Sequence, residues 1–156
     1  MPPSGTLVTA SAEETRAWGK KLGESLKPGD VVALTGPLGA GKTTLTKGLA
    51  EGLECPDPDA VCSPTFAILQ EVEGRHPICH VDAYRLPEGE DAPDDIGLEE
   101  YLDAGWVVVV EWADRLAQFL PETAIWVDLA HEGPNERRIV WSRGTSEGVQ
   151  VEELEP

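Results

Sequence analysis

The run Gly36-Pro37-Leu38-Gly39-Ala40-Gly41-Lys42-Thr43-Thr44 constrains this chain more than any other stretch, because it demands a strand, a loop and a helix in that order. Gly36, Gly41, Lys42 and Thr43 complete the pattern G-x-x-x-x-G-K-[ST], which carries meaning only with an apolar strand before it and a helix after it. Val31-Val32-Ala33-Leu34-Thr35 supplies the strand, a continuous apolar run of the kind buried on both faces of a parallel sheet. The residues from Lys42 to Leu53 suit the helix. Glycines let such a loop wrap closely round an anion, and the N–H groups at the helix N-terminus face it. The spacing therefore predicts a phosphate cradle built from Leu38, Gly39, Ala40, Gly41, Lys42, Thr43 and Thr44. Lys42 would reach the β and γ phosphates and the Thr43 hydroxyl would hold Mg²⁺, so ATP and Mg²⁺ are the expected ligands.

The rest of the chain reads as elements around that unit. Thr6 to Thr9 suits a short strand, and Ser11 with Glu14 has the form of a capping box that starts a helix. Pro28-Gly29 ends this helix, and Trp18, Leu22 and Leu26 give it one apolar stripe. The Pro- and Asp-rich stretch from Glu54 to Ser63 predicts a surface loop. Phe66 to Val72 and Pro77 to Asp82 are β-prone and separated by Glu73-Gly74-Arg75, a hairpin spacing. Glu88 to Glu100 is acidic without a base, which predicts a solvated loop and then a short helix in GLEEYLDAG. Trp106 to Glu111 is a second buried strand, and Ala113 to Leu120 reads as a helix stopped by Pro121. Ala124 to Ala130 and Arg138 to Ser142 predict a hairpin around Gly133-Pro134-Asn135. The expected fold is a single α/β, P-loop NTPase-like domain over residues 1–144. It has a mainly parallel sheet with antiparallel hairpin additions and helices on both faces, followed by an acidic, frayed tail at 145–156. Strand order does not follow from these patterns.

At 156 residues the chain has the length of one domain. Its 29 acids against 12 bases give a formal net charge of -17, which repels polynucleotide phosphates and excludes extensive direct binding of tRNA or DNA. Cys55, Cys62 and Cys79 are odd in number and lack paired C-x-x-C spacing, so they read as reduced thiols. The first residues carry no Lys, Arg or apolar core of a signal peptide, and the apolar run Trp106 to Val110 is far below the ~20 residues of a membrane span. No membrane partner is expected, and the cytoplasm is the expected location.

Binding alone is not hydrolysis, which needs carboxylates to place Mg²⁺ and a water near the γ phosphate. Asp82 and Glu111 each end a predicted strand, and in parallel sheets ligands gather at the carboxyl ends. We assign Asp82 to the metal and Glu111 to the attacking water or the groups around it, though the spacing is equally compatible with the reverse order. Ser63-Pro64-Thr65-Phe66 lies where a switch-like loop would bring the Thr65 hydroxyl toward Mg²⁺ or the γ phosphate, but such a run also suits a plain turn. His80 reads as a packed, hydrogen-bonded residue or a catalyst. Trp112 reads as core or as a wall of the nucleotide pocket.

Taken in order, GPLGAGKTT, SPTF, HVDAYRL from His80 to Leu86, GLEEYL from Gly97 to Leu102, and Glu111-Trp112 resemble the TsaE family over residues 6 to 142. The resemblance implies an ATPase subunit of bacterial tRNA threonylcarbamoyladenosine synthesis, acting with TsaD and TsaB and meeting tRNA only through the complex. It also implies phosphate and Mg²⁺ roles for Lys42 and Thr43, a switch role for Thr65, essential carboxylates in Asp82 and Glu111, and a place beside the nucleotide for Trp112. Two departures stand out: Ala83 where the family often has Leu, and Glu71-Val72 where an aromatic residue is common. They bear on packing and partner contacts. Two other functions compete. A small-molecule kinase would need lid arginines, whereas Arg75, Arg85 and Arg115 are scattered singly; a GTPase-type module would need the N-K-x-D run that is missing here.

Overall fold

The two valine-rich runs pair side by side, and the remaining elements are arranged around them. The computed structural model describes residues 4–37, 39–61, 69–85 and 97–144. Its strands are β1 (Ser4–Thr9), β2 (Val31–Thr35), β3 (Leu69–Val72), β4 (Ile78–Asp82), β5 (Val107–Glu111), β6 (Ile125–His131) and β7 (Arg137–Arg143). Among the described residues they form one sheet in the order β1-β7-β6-β2-β5-β4-β3. The centre is parallel, with β2 between β6 and β5 and β4 beyond β5. The flanks are antiparallel: both predicted hairpins form, β3 with β4 and β6 with β7, and β1 pairs with β7. The strand expected from Phe66 is described from Leu69 onward.

Helix α1 (Ala12–Ser25) begins at Ser11, whose hydroxyl accepts from the Glu14 N–H at 3.2 Å. The Glu14 carboxylate reaches back to the Ala10 N–H at 3.0 Å, so the capping box closes one residue earlier than its usual form. Helix α2 (Lys42–Gly52) and α1 cover one face of the sheet, packing Trp18, Leu22, Leu45 and Leu49 on Val32, Leu34, Val107 and Val109. Helix α3 (Leu98–Asp103) and the 3-10 turns at Ala83–Arg85 and Ala113–Phe119 cover the other, over Val31, Ala33, Val108 and Val110. Ala113 to Leu120 is thus a 3-10 segment where an α-helix was expected. Trp112 enters it from the left-handed region and Leu120 leaves it extended before Pro121, so the segment is bounded at both ends and cannot run on into a longer helix.

The contact between α1 and α2 is made backbone to backbone. A Cβ added at Gly19 or Gly23 would strike the carbonyl oxygens of Leu45 or Leu49, and one at Gly48 or Gly52 would strike those of Arg16 or Lys20. Arg75 secures the far ends, donating to Gly52 O at 3.2 Å and to Gly23 O at 3.4 Å. These contacts hold α2, the helix that opens from the glycine loop, against the sheet. Ala83 is fully buried in the second face, and Glu71 accepts a hydrogen bond from the Tyr101 hydroxyl at 2.6 Å. No helix among the described residues is long and apolar enough to cross a membrane. Leu38, Cys62, Thr65, the acidic loop at 86–96 and the tail at 145–156 lie outside the described residues.

Candidate functional site

The loop between β2 and α2 takes the backbone path its glycines allow. Gly36 has φ 136° and Gly41 φ 106°, values that side chains rarely adopt, and a Cβ at Gly36 would collide with the Leu129 carbonyl oxygen. The Ala40 N–H donates to Pro37 O at 3.1 Å, which curls the loop so that it leads into α2 at Lys42. Lys42 is only 5% exposed. Its ammonium donates to Gly36 O at 2.7 Å and Pro37 O at 2.9 Å, and lies 4.0 Å from the centroid of the Trp112 ring. Burial lowers the Lys42 pKa, while Glu111, Asp82, Asp114 and Asp128 act against that shift by favouring the cation.

The two predicted carboxylates meet at this loop. Asp82 ends β4 directly opposite Glu111 at the end of β5, and Glu111 is also in register with Leu34 on β2. Glu111 is 2% exposed and is held at both oxygens: Oε1 accepts from the Thr43 hydroxyl at 3.3 Å, and Oε2 lies 2.6 Å from His80 Nε2. Asp82 is half-buried, and its Oδ1 accepts from the Tyr84 N–H at 3.0 Å in a turn closed by its own side chain. The donor set of a hydroxyl and two carboxylates beside a lysine and a helix N-terminus fits a hard cation carried with a phosphate chain. Lys42, Thr43 and Glu111 would hold such a pair at one end, with Asp82 next to them.

Trp112 has φ 58° and ψ 42°, an unusual backbone for a bulky residue that costs on the order of 1–3 kcal/mol. Its ring has two close neighbours: Lys42 sits over it and the Tyr84 ring centroid is 4.8 Å away at a tilt of 44°, while the Arg115 guanidinium lies 5.7 Å from the Tyr84 ring. The tryptophan is partly buried, packed against the second core cluster on one hand and against Lys42 of the loop on the other. Arg137 binds the outside of the loop, donating to Gly39 O at 3.4 Å as well as to Glu136 O at 2.9 Å.

The family model described as "Threonylcarbamoyl adenosine biosynthesis protein TsaE" matches residues 9–139. The chain belongs to the TsaE family. Among its relatives, the tRNA threonylcarbamoyladenosine biosynthesis protein TsaE of Bacillus subtilis (strain 168) is 43% identical over 135 residues, covering 86% of this chain and 82% of that protein. TsaE of Mycobacterium bovis is 40% identical over 152 residues, covering 91% and 89%. A crystal structure of Bacillus subtilis YdiB superposes with a TM-score of 0.73 at 34% identity, covering 98% of this chain and 94% of that one.

Family membership places this chain in tRNA threonylcarbamoyladenosine biosynthesis. Within this TsaE chain, Thr43 meets Glu111, Asp82 stands in register with Glu111 and Lys42 lies over Trp112, with Gly39, Ala40, Gly41 and Thr44 on the loop and first turn of α2. Sequence reading left His80 ambiguous and overlooked Asp128, whose Oδ1 accepts from the Thr35 hydroxyl at 2.7 Å just before the loop. The signal for Asp128 was an acid inside an otherwise apolar strand. The signal for His80 was its place two residues before Asp82, which puts both side chains on one face of β4.

Proposed function

We propose that this chain binds ATP with Mg²⁺ and hydrolyses it as an accessory subunit of tRNA threonylcarbamoyladenosine synthesis, working with TsaD and TsaB in the cytoplasm and meeting tRNA only through them. The observation that carries this reading is the Thr43–Glu111 hydrogen bond at the mouth of a glycine loop that Lys42 already lines. Phosphate oxygens are stronger acceptors for an ammonium than neutral carbonyls, so an incoming triphosphate would draw Lys42 from Gly36 O and Pro37 O. Mg²⁺, when bound, neutralises charge on the phosphate oxygens. The contact with Thr43 favours Glu111 as the carboxylate on the metal side, the reverse of the order first assigned, and leaves the less buried Asp82 to orient the attacking water. Thr65, near Mg²⁺ or the γ phosphate, and Leu38, in the cradle, complete the proposed site.

A kinase reading loses support from Arg75, which is spent on the carbonyl ends of α1 and α2. The test compares ATP hydrolysis by the chain alone, with small acceptors, and with TsaD, TsaB and tRNA. Slow turnover alone that rises with the partners is the expected result. Phosphate transferred to a small acceptor, or no turnover under any of these conditions, would overturn the proposal.

A further inference from the structure

Glu111 is a buried acid, and a buried carboxylate is tolerated only when its oxygens are partnered. One partner is the Thr43 hydroxyl on α2; the other is His80 on β4, itself 0% exposed. Strand register explains how His80 gets there. Asp82 stands opposite Glu111, so His80 is the diagonal neighbour on the same sheet face, close enough for a 2.6 Å contact. A carboxylate can only accept, so Nε2 is the nitrogen that donates. On the other side of the ring, Nδ1 faces the Gln70 side-chain amide on β3, 3.4 Å from Oε1. His80 also lines a small apolar pocket with Thr46, Leu49 and Val109, a setting that by itself asks for no hydrogen bond.

Resting on the ATPase reading above, we infer that His80 is a positioning residue: its Nε2–H pins Oε2 of Glu111, so that Oε1 stays turned toward the Thr43 hydroxyl. Without it the glutamate side chain regains rotamers that leave the metal side of the cleft. The arrangement resembles the outer hydrogen bonds that hold metal-binding carboxylates in register, whose loss typically costs about 10–100-fold in activity or metal affinity.

The test uses the full chain with its partner proteins and the variants His80→Ala, His80→Gln, His80→Asn, Glu111→Gln and His80→Ala/Glu111→Gln. His80→Ala is expected to lower kcat by about 10–100-fold with KM for ATP changed by no more than about threefold. Glutamine can present an N–H near the Nε2 position and asparagine cannot, so His80→Gln should recover most of the rate and His80→Asn should not. The double variant should be no slower than Glu111→Gln alone, because His80 acts through that carboxylate. Apart from turnover, ¹⁵N–¹H spectra of the free chain should show a protected Nε2 proton on His80 that is lost in Glu111→Ala. Wild-type kcat in His80→Ala, additive losses in the double variant, or equal rates for the Gln and Asn variants would overturn the inference. If His80→Ala does not fold, the Gln and Asn pair decides. Turnover by the wild-type chain with unchanged His80 variants defeats this inference alone, whereas no uptake of Mg-ATP by the wild-type chain defeats the ATPase reading beneath it.

Discussion

Cys79 and Trp112 are two residues whose surroundings alter their ordinary chemistry, and they do so in opposite senses. Trp112 accepts a costly backbone in exchange for a ring set against Lys42 and Tyr84, which suits a wall at a ligand site. Cys79, in the middle of β4, is sealed off: burial, with a smaller contribution from Glu71, pushes its thiol up to about 12 from an ordinary 9.0. The thiolate is the reactive form, so Cys79 should resist alkylation in the native protein while the partly exposed Cys55 reacts; mass-spectrometric mapping reads the difference. The folded state holds this proton more tightly than the unfolded chain does. Its contribution to stability is therefore complete below pH 9 and drains away as pH climbs toward 12. Urea titrations should show wild type losing stability above pH 9 more steeply than Cys79→Ala, and parallel curves would contradict the assignment.

At the scale of elements, α2 is held in place by glycines that helix propensity alone would remove. Replacing Gly48 by Ala should gain up to about 1 kcal/mol from propensity, but the new Cβ would meet the Arg16 carbonyl oxygen, a backbone atom that cannot swing aside. Overpacking of this kind costs about 1–3 kcal/mol, so Gly48→Ala should be net destabilising by urea denaturation and should blunt nucleotide binding by shifting α2. A stabilised Gly48→Ala would show that the helices are free to part. This contact was hidden in the sequence because a glycine inside a helix reads only as a weak helix former, and its reason lies on another helix far along the chain. The glycine loop, β2, β5 and the Ser11 cap were legible because each depends on neighbours a few residues away. The His80–Glu111 pair was not, since it needs β4 and β5 to be adjacent, parallel and in one register. The same holds for β1, whose place beside β7 depends on pairing between opposite ends of the chain.

For the whole molecule, the dominant quantity is its net charge of -17. A surface of that sign has few cations with which to displace the counterions condensed on tRNA, so the isolated chain should give no salt-dependent tRNA shift in gels; a shift at low salt that fades as salt is raised would refute this. The cleft is the local exception, with one buried ammonium and a helix N-terminus facing outward amid acids. Fold class followed from the sequence because βα alternation around one loop admits few architectures, whereas the order of seven strands is a property of the assembled sheet. The most direct measurement is titration calorimetry of the chain with ATP in the presence and absence of Mg²⁺, beside Lys42→Ala. Saturable uptake that Mg²⁺ strengthens and that vanishes in Lys42→Ala is the expected result. No heat from the wild-type chain, or equal binding by the variant, would contradict it.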